Sequence, residues 1–345
     1  MGDVLHAMPA VAALREAHPE WFIGWVVEPR WVALLKSVSG ETAPAPLVDK
    51  VYLAATREWK QRPVSKKTLG EIAQLRRELR GDKFDLCVDM QGSIRSAVIG
   101  RMAGARELVG PANPRESPAQ WLYGKAVDMT ATHVIEQGCE LLGGAVGAQF
   151  RPAGVDFPMD EAAERACDAL LARLLPGSEP FALVAPTAGW GAKQWPAERF
   201  GAVAAELGRR GYRTLVNAAG ETDPIARSVV EASRGSAAAA AGDLPLLIAL
   251  TRRARVVIAG DTGPLHLAAA LGRPVVALFG PTDPARNGPY GTRAKVLRHG
   301  GERRDHRRRA EPEKELLAIT VEEVVEAAME LFEDREPPRA GKVDE

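Results

Sequence analysis

The chain has 345 residues, a length that favours about two domains. Lysine and arginine number 45, and so do aspartate and glutamate, so the formal net charge is zero; this balance argues against a protein whose main task is to bind nucleic acid. A hydrophobic fraction of 46% with 26% charged residues is ordinary for a globular chain and excludes wholesale disorder.

Short apolar runs alternate along the chain with segments of helical periodicity. The candidate strands are, in chain order, Trp21–Val27, Val51–Ala54, Phe84–Met90, Phe181–Pro186, Arg213–Ala218, Arg255–Ala259 and Pro274–Gly280. The candidate helices are Met8–Ala17, Lys66–Arg80, Ser93–Met102, His133–Leu142, Ala162–Leu175, Ala197–Arg210 and Leu265–Leu271. Continuous apolar strands that alternate with helices are typical of parallel sheets covered on both faces, so the pattern predicts a doubly wound α/β fold.

The alternation occurs twice, on either side of the proline-containing stretch Arg151–Met159, which we interpret as a linker. We therefore expect two Rossmann-like domains that face a cleft, one over residues 1–152 and one over residues 160–333.

The C-terminal end has a different character. Gly300–Arg309 is strongly basic and predicts a solvated loop, with contact to anionic lipid as the alternative. An amphipathic segment runs from Thr320 to about Phe332, and Thr320 and Glu323 have the spacing of a capping box. From Asp334 onward we expect a frayed tail.

Cysteine usage and hydropathy indicate the cellular compartment in which the protein is expected to fold. Cys87, Cys139 and Cys167 show no CxxC spacing, so the sequence predicts neither a disulfide framework nor a zinc site and favours a reducing environment. No apolar run reaches the ~18 residues that a membrane span needs. The first residues, MGD, do not form the basic and apolar regions of a secretory signal. We therefore expect a cytoplasmic protein.

The start of the chain lacks an element that the fold class requires. A doubly wound domain normally opens with a strand that leads through a loop into the first helix, whereas this sequence opens at Gly2-Asp3, inside what reads as that loop. We expect the encoding DNA to continue in frame upstream with an apolar strand of about ten residues, so that Met1 is too late a start.

Three clusters carry residues suited to chemistry. In the first, Met1–Arg15, Asp3 precedes a predicted helix and is either a catalytic carboxylate or only a helix cap. In the second, Ala185–Phe200, a strand ends at Thr187 and a glycine-rich loop leads to Lys193, a placement that suits a diphosphate; an ordinary surface lysine is the alternative.

The third cluster, Ala259–Arg286, combines two strand-to-helix turns. The first turn holds Asp261 and Thr262, and the backbone N–H groups of the helix that follows can bind an anion. His266 lies one turn into that helix, and the turn over residues 280–284 can close a nucleotide pocket. Two ordinary βα turns are the alternative.

Taken together, the motifs GDVLHAMPA, KQWP and DTGPLHLAAALGRPVVALFGPTDP resemble glycosyltransferase family 9, the bacterial lipopolysaccharide heptosyltransferases, over the chain to about residue 300. Within that family, WVVEPRW, Arg57-x-Trp59, VDMQG at 88–92, Arg115-Glu116 and His133 are most similar to the heptosyltransferase I group. The resemblance implies the GT-B fold, with the acceptor on the N-terminal Rossmann-like domain and the nucleotide sugar on the C-terminal one.

The resemblance also implies roles for individual residues. Asp3 matches the proposed general base, and Glu221 matches an acidic residue near the nucleoside. Lys193 matches the lysine that binds the donor diphosphate, and Thr187 matches the hydroxyl beside it. The motif of the donor site is matched by Asp261, Thr262, Gly263 and His266.

On the acceptor side, Arg57, Lys60 and Arg115 resemble cations suited to the Kdo carboxylate or a lipid phosphate. Glu58 and Gln61 depart from the family here, because heptosyltransferase I commonly has basic residues at these positions. A predicted strand ends with Asp89, Gln91 and Gly92, which have either a structural or an acceptor-binding role.

The implied reaction is inverting transfer of heptose from ADP-heptose to the Kdo-lipid A inner core, with a lipid-linked acceptor and peripheral contact with the cytoplasmic face of the inner membrane. The sequence contains no Asp-x-Asp motif, so we expect neither a metal nor another cofactor. Three alternatives remain: another family 9 enzyme, such as a heptosyltransferase II or one with a different glycan acceptor; a broader GT-B relative, such as an epimerase; and a truncated donor-binding remnant without turnover.

Overall fold

The computed structural model describes residues 1–37, 46–177, 179–300 and 311–333. The chain divides between Pro158 and Met159 into two compact units, which we call the N-terminal and C-terminal units. The basic loop predicted at Gly300–Arg309 and the tail predicted from Asp334 lie, apart from Gly300, outside the described residues.

The N-terminal unit contains five strands and five α-helices in its described part. The strands are β1 (Gly24–Val27), β2 (Lys50–Leu53), β3 (Leu86–Val88), β4 (Glu107–Pro111) and β5 (Lys125–Val127). The helices are α1 (Gly2–Ala17), α2 (Thr56–Gln61), α3 (Lys66–Gly81), α4 (Ile94–Ala103) and α5 (Val134–Val146). All strand pairs are parallel, and they form two separate sheets, β1-β2 and β3-β4-β5.

Helix α1 is buried on nearly every side, from Ala7 through Leu14, although Pro9 lies inside it. Small side chains allow this burial, because α5 approaches closely where Gly138 opposes Ala10; a Cβ atom on Gly138 would lie 3.4 Å from the Ala10 Cβ. The other conspicuous cluster in this unit joins α3 and α4 to β2 through Tyr52, Leu75, Leu79 and Ala103. Each parallel layer is thus covered by helices, as the fold class requires.

The C-terminal unit contains one six-stranded parallel sheet. Its strands are β6 (Phe181–Ala185), β7 (Arg213–Ala218), β8 (Ala237–Ala241), β9 (Val256–Gly260), β10 (Val275–Leu278) and β11 (Ala294–Leu297). Its helices are α6 (Glu161–Leu174), α7 (Ala197–Arg209), α8 (Pro224–Ala232), α9 (Leu244–Arg253), α10 (Gly263–Ala270), α11 (Pro284–Asn287), α12 (Lys314–Ala318) and α13 (Val321–Glu333). The spatial order is β11-β10-β9-β6-β7-β8, which is the doubly wound Rossmann order.

The core of the C-terminal unit joins the sheet to α7 and α13. Trp195 and Phe200 are each about 1% exposed, and their rings meet edge to face with centroids 4.8 Å apart. Helix α13 begins after the predicted capping box, in which the Thr320 N–H donates to Glu323 and the Glu323 N–H donates to the Thr320 hydroxyl. This part of the sequence analysis is confirmed.

The α/β class and the seven predicted strands are confirmed, with ends that shift by up to three residues. Four strands were not predicted: β4, β5, β8 and β11. Helix α1 is longer than expected, because it begins at Gly2 rather than at Met8. Among the described residues, no helix is both long enough and apolar enough to cross a membrane.

Candidate functional site

The C-terminal unit has its candidate site where the strand order reverses, between the neighbouring strands β6 and β9. In open parallel sheets, ligands bind outside the carboxyl ends of the strands at this point, because the two connections leave in opposite directions. The loop after β6 carries Thr187 and Lys193, and the turn after β9 carries Asp261. The topology thus brings together residues that are far apart in sequence.

Asp261 is the centre of a buried polar cluster, and its side chain is only 6% exposed. One carboxylate oxygen, Oδ1, lies 3.0 Å from His266 Nε2. The other, Oδ2, pairs with the Lys193 ammonium and accepts a hydrogen bond of 2.7 Å from the Thr282 hydroxyl. The sequence predicted His266 and Lys193 at the donor site, and the structure joins both to the same carboxylate.

The electrostatics of this cluster favour a permanently ionised carboxylate. Burial by itself raises the pKa of Asp261, but the hydrogen bond from His266 and the positive charge of Lys193 outweigh it and hold the pKa well below the ordinary value. Lys193 is itself largely buried, with a side chain 14% exposed, so water screens the pair weakly. The cluster therefore holds a lysine ammonium in a fixed place.

The loop that carries Thr187 is closed by the side chain of Gln194. Its amide oxygen accepts from the Ala188 N–H at 2.9 Å, and its amide nitrogen donates to the Pro186 carbonyl. Lys193 lies in a short 3₁₀ turn, with Nζ 4.8 Å from the centre of the Trp190 ring. Sequence reasoning missed Gln194, although its position in KQWP was a usable signal.

Helix α10 begins directly after Asp261, with Thr262 in the capping position and Gly263 as the first helical residue. The Thr262 hydroxyl donates to the Gly260 carbonyl at 3.2 Å instead of accepting from the helix. The N–H groups of a first helical turn have no acceptor within their own helix, and they attract anions together with the helix dipole. This end of α10 suits a phosphate group.

Two further residues of the C-terminal unit lie in turns that follow strands. Glu221 lies in an exposed turn after β7, outside the hydrogen-bonded cluster of Asp261, and its role near the nucleoside stays a prediction. Thr282 was not singled out, yet it is 2% exposed and bonded to Asp261. The turn that contains it follows β10, the strand next to β9, which explains their proximity.

In the N-terminal unit, candidate residues follow the carboxyl ends of four strands. Arg30 follows β1, Arg57 follows β2, Gln91 follows β3 and Arg115 follows β4. Because these strands are parallel within each sheet, their carboxyl ends share one edge. The unit therefore presents three cations and an amide at its sheet edges.

Asp3 lies in the first turn of α1, not ahead of the helix as the sequence suggested, because the helix begins at Gly2. Its Oδ2 atom accepts a hydrogen bond of 2.8 Å from Gln91 Nε2 and lies 3.8 Å from the Arg115 guanidinium. The Asp3 side chain is 60% exposed. The structure thus brings Asp3 and Arg115 together, and it adds Gln91.

Arg57 lies near a second cation, Arg30, which sequence reasoning missed. Burial and the neighbouring Arg57 lower the pKa of Arg30, whose guanidinium stacks 4.3 Å from the Trp31 ring centre. Glu28 fixes the start of α2 by accepting from the Arg57 N–H at 3.1 Å. Lys60 lies exposed in the last turn of α2. Two adjacent guanidinium groups favour an anionic ligand.

No group of three or more histidine, cysteine, aspartate or glutamate side chains in the described part of the chain is arranged to hold a metal ion. The cysteines are free, and burial raises the pKa of each thiol to about 11. None of them has the lowered pKa of a reactive nucleophile.

Comparison with known proteins identifies the family of the chain. The model of glycosyltransferase family 9 (heptosyltransferase) matches residues 72–317. Lipopolysaccharide heptosyltransferase 1 of Pseudomonas aeruginosa is 28% identical over 296 residues, which cover 84% of this chain and 79% of that protein. Its namesake in Escherichia coli K12 is 27% identical, with 86% and 90% covered.

Solved structures show the same fold. The E. coli heptosyltransferase WaaC with ADP superposes with a TM-score of 0.76 at 25% identity, covering 96% of this chain and 97% of that one. A family 9 glycosyltransferase of Veillonella parvula gives a TM-score of 0.79 at 22% identity, with 97% and 95% covered. These matches confirm the predicted GT-B class. Because the family model matches residues 72–317, well over half of the chain, the chain belongs to glycosyltransferase family 9.

Proposed function

We propose that this chain is an inverting, metal-independent glycosyltransferase that moves heptose from ADP-heptose to the Kdo-lipid A inner core of lipopolysaccharide. The observation that carries the proposal is the buried Asp261–Lys193 pair beside the start of α10, at the switch point of a Rossmann sheet. Such a site suits a diphosphate, and two similar curated proteins are named lipopolysaccharide heptosyltransferase 1.

Donor binding falls to the C-terminal unit. The first-turn N–H groups of α10 and the hydroxyl groups of Thr187 and Thr262 would hold the diphosphate oxygens, and Lys193 would supply the positive charge. Glu221, on the turn after the neighbouring strand β7, would accept hydrogen bonds from the ribose hydroxyls. His266 fixes Asp261 and lies within one turn of the same N-terminus, so we assign it to binding rather than to proton transfer.

In the chemical step, the acceptor hydroxyl oxygen forms a bond to the anomeric carbon while the bond from that carbon to the ADP oxygen breaks. The hydroxyl proton passes to the carboxylate of Asp3, which acts as general base. The bonding electron pair leaves with ADP, and Lys193 stabilises the charge that develops there. Attack opposite the leaving group inverts the anomeric configuration.

The acceptor is an anionic sugar lipid in this proposal, and the N-terminal unit binds it. Arg115 lies beside the base Asp3, where a Kdo carboxylate would need a cation. Arg57 and its neighbour Arg30 form a second cationic position, and Lys60 extends it along α2. These groups suit carboxylate or phosphate oxygens.

A surface of the same unit supports contact with the inner membrane on its cytoplasmic face. Val64 and Leu69 are 85% and 56% exposed between the end of α2 and the first turn of α3. The cations Arg62 and Lys66 are exposed beside them. Apolar side chains within a basic surface suit an anionic bilayer, where the lipid-linked acceptor resides. We call these four residues the basic-apolar patch.

The test is transfer from ADP-heptose to Kdo-lipid A, followed by mass spectrometry of the lipid, in the presence and absence of EDTA. We expect a product heavier by one heptose in both conditions. Asp3→Asn keeps the size of the side chain but cannot accept a proton, so we expect it to bind ADP normally and to lose transfer. Donor binding without any transfer by the unaltered protein would overturn the proposal, and product only from a heptosylated acceptor would assign the chain to heptosyltransferase II.

A further inference from the structure

The loop after β3 is fixed by a buried carboxylate that no catalytic step uses. Asp89 is 5% exposed, and its Oδ1 atom accepts the N–H groups of Gln91 at 3.0 Å and Gly92 at 3.1 Å. Its Oδ2 atom accepts the hydroxyl groups of Ser96 at 2.9 Å and Tyr123 at 2.8 Å. Four donors satisfy this one carboxylate. It therefore ties the loop backbone on one side to the hydroxyl groups of Ser96 and Tyr123 on the other.

Two further features hold the loop in a single conformation. Burial and the hydrogen bond to Asp89 raise the pKa of Tyr123, so its hydroxyl stays protonated as a donor. Gly92 has φ of +66°, in the left-handed region, and a Cβ atom there would lie 3.0 Å from the Arg115 backbone nitrogen. The Gly92 carbonyl also accepts the Glu116 N–H at 3.0 Å. The loop is thus locked to the segment that carries Arg115.

The side chain of Gln91 leaves this fixed loop and reaches the exposed carboxylate of Asp3. Its amide nitrogen donates to Asp3 Oδ2 at 2.8 Å, across 88 residues of sequence. The Arg115 guanidinium approaches the same Oδ2 atom, at 3.8 Å. Both contacts fall on Oδ2, so Oδ1 is the oxygen that we assign to the incoming proton. A side chain that is 60% exposed would otherwise sample several rotamers.

We propose that Gln91 is a positioning residue that holds the carboxylate of Asp3 in the orientation required of a general base. The inference rests on the proposed function, because it needs Asp3 to act as that base. A glutamine suits this task since its amide fixes the carboxylate without adding charge. A general base must lie within hydrogen-bond reach of the proton that it removes, and small displacements of reacting groups reduce turnover strongly.

The first experiment measures kcat and KM for Gln91→Met, which keeps the length of the side chain and removes its hydrogen bond. We expect kcat to fall about 10- to 100-fold, while KM for ADP-heptose changes less than about 2-fold. Gln120→Met is the matched control, because Gln120 is an exposed glutamine of the same unit. Thermal unfolding and ADP binding of both variants, measured in parallel, should equal those of the unaltered protein.

The second experiment tests whether Gln91 acts through Asp3. Gln91→Glu places a second carboxylate against Asp3, and two adjacent carboxylates retain a shared proton to higher pH. We expect the acidic limb of the kcat/KM pH profile to move up by at least about one pH unit, with activity recovering at alkaline pH. In the described part of the chain, Arg115 and the Met1 amino group interact with Asp3, and burial lowers the pKa of that amino group to about 6. Both are the same in every variant compared.

The outcomes separate this inference from the proposed function. Unchanged kcat in Gln91→Met, or an unmoved acidic limb in Gln91→Glu, would overturn the positioning role while Asp3→Asn stays inactive. Full turnover by Asp3→Asn would instead overturn the base assignment in the proposed function, and the positioning role with it. No transfer by the unaltered protein would overturn both.

Discussion

In the proposed reaction, Lys193 is the residue on which stabilisation of the leaving group most depends, because its ammonium is held in place by the buried Asp261 carboxylate. We expect Lys193→Ala to reduce turnover roughly 10²–10³-fold, as the loss of one group that stabilises developing charge does in other enzymes. The measurement is steady-state transfer. Lys314→Ala, which removes an exposed lysine of the same unit, is the control. Turnover close to that of the unaltered protein would remove Lys193 from the mechanism.

The lowered pKa of Asp261 predicts how the free energy of unfolding changes as the pH falls. Because the pKa of Asp261 is lowered in the folded protein, its stabilising effect is complete above the pKa of an unfolded aspartate, about 3.9, and is lost as the pH falls below that value. Asp261→Asn should therefore be less stable than the unaltered protein at pH 7. It should also lose less stability between pH 5 and pH 3, a comparison made by thermal unfolding. Equal acid sensitivity in both proteins would contradict this linkage.

At the scale of single residues, the sequence predicted the central carboxylate Asp261 and two of its partners, but not the third partner. Lys193, Asp261 and His266 lie in motifs that resemble the family, so the sequence alone predicts them. It does not predict Thr282, because the hydrogen bond of that residue depends on the pairing of β9 with β10, which no local pattern shows. For the same reason the sequence does not decide between a structural and an acceptor-binding role for Gln91, since its partner lies 88 residues away.

At the scale of elements, the two units differ in the size of their sheets and in the number of neighbours that each strand has. Strands β6 and β9 each have a neighbour on both sides within six strands, whereas β1 and β3 end their small sheets. Because local opening is easiest where a strand has one partner, we expect amides of β6 and β9 to exchange with deuterium at least about 100-fold more slowly than those of β1 and β3. Hydrogen exchange with mass spectrometry measures this. Equal protection in both sets would show that the small sheets are held by other means.

The sequence predicts strands correctly where apolar side chains follow one another without interruption. It fails where the residue types of a strand favour a helix or a turn. Strands β6, β9 and β10 are rich in valine, leucine and isoleucine, and all three were found. Strand β8 consists of five alanines, the strongest helix formers, and it is extended because it pairs along its whole length with β7. Strand β4 contains glutamate, glycine and proline and was missed for a similar reason.

The basic-apolar patch makes a prediction for the whole molecule. Each cation near an anionic bilayer contributes on the order of 1 kcal/mol, so Arg62→Glu with Lys66→Glu should lower binding to vesicles of anionic phospholipid more than tenfold. Arg76→Glu with Arg77→Glu changes the net charge equally at exposed positions further along α3 and is the control. Co-sedimentation at low and at physiological salt measures both. An equal effect of the two pairs would show that the patch has no special role.

The strand order of the C-terminal unit also sets the time at which the donor site can form. Lys193 and Asp261 are 68 residues apart, and they meet because β9 pairs with β6 rather than with the preceding strand β8. During synthesis, β6, β7 and β8 emerge and can pair first. At that stage Lys193 has no ion-pair partner, because Asp261 has not yet been synthesised. The cluster is complete only after Thr282 has left the ribosome, so a growing chain acquires the proposed ADP site in one late step and not by degrees.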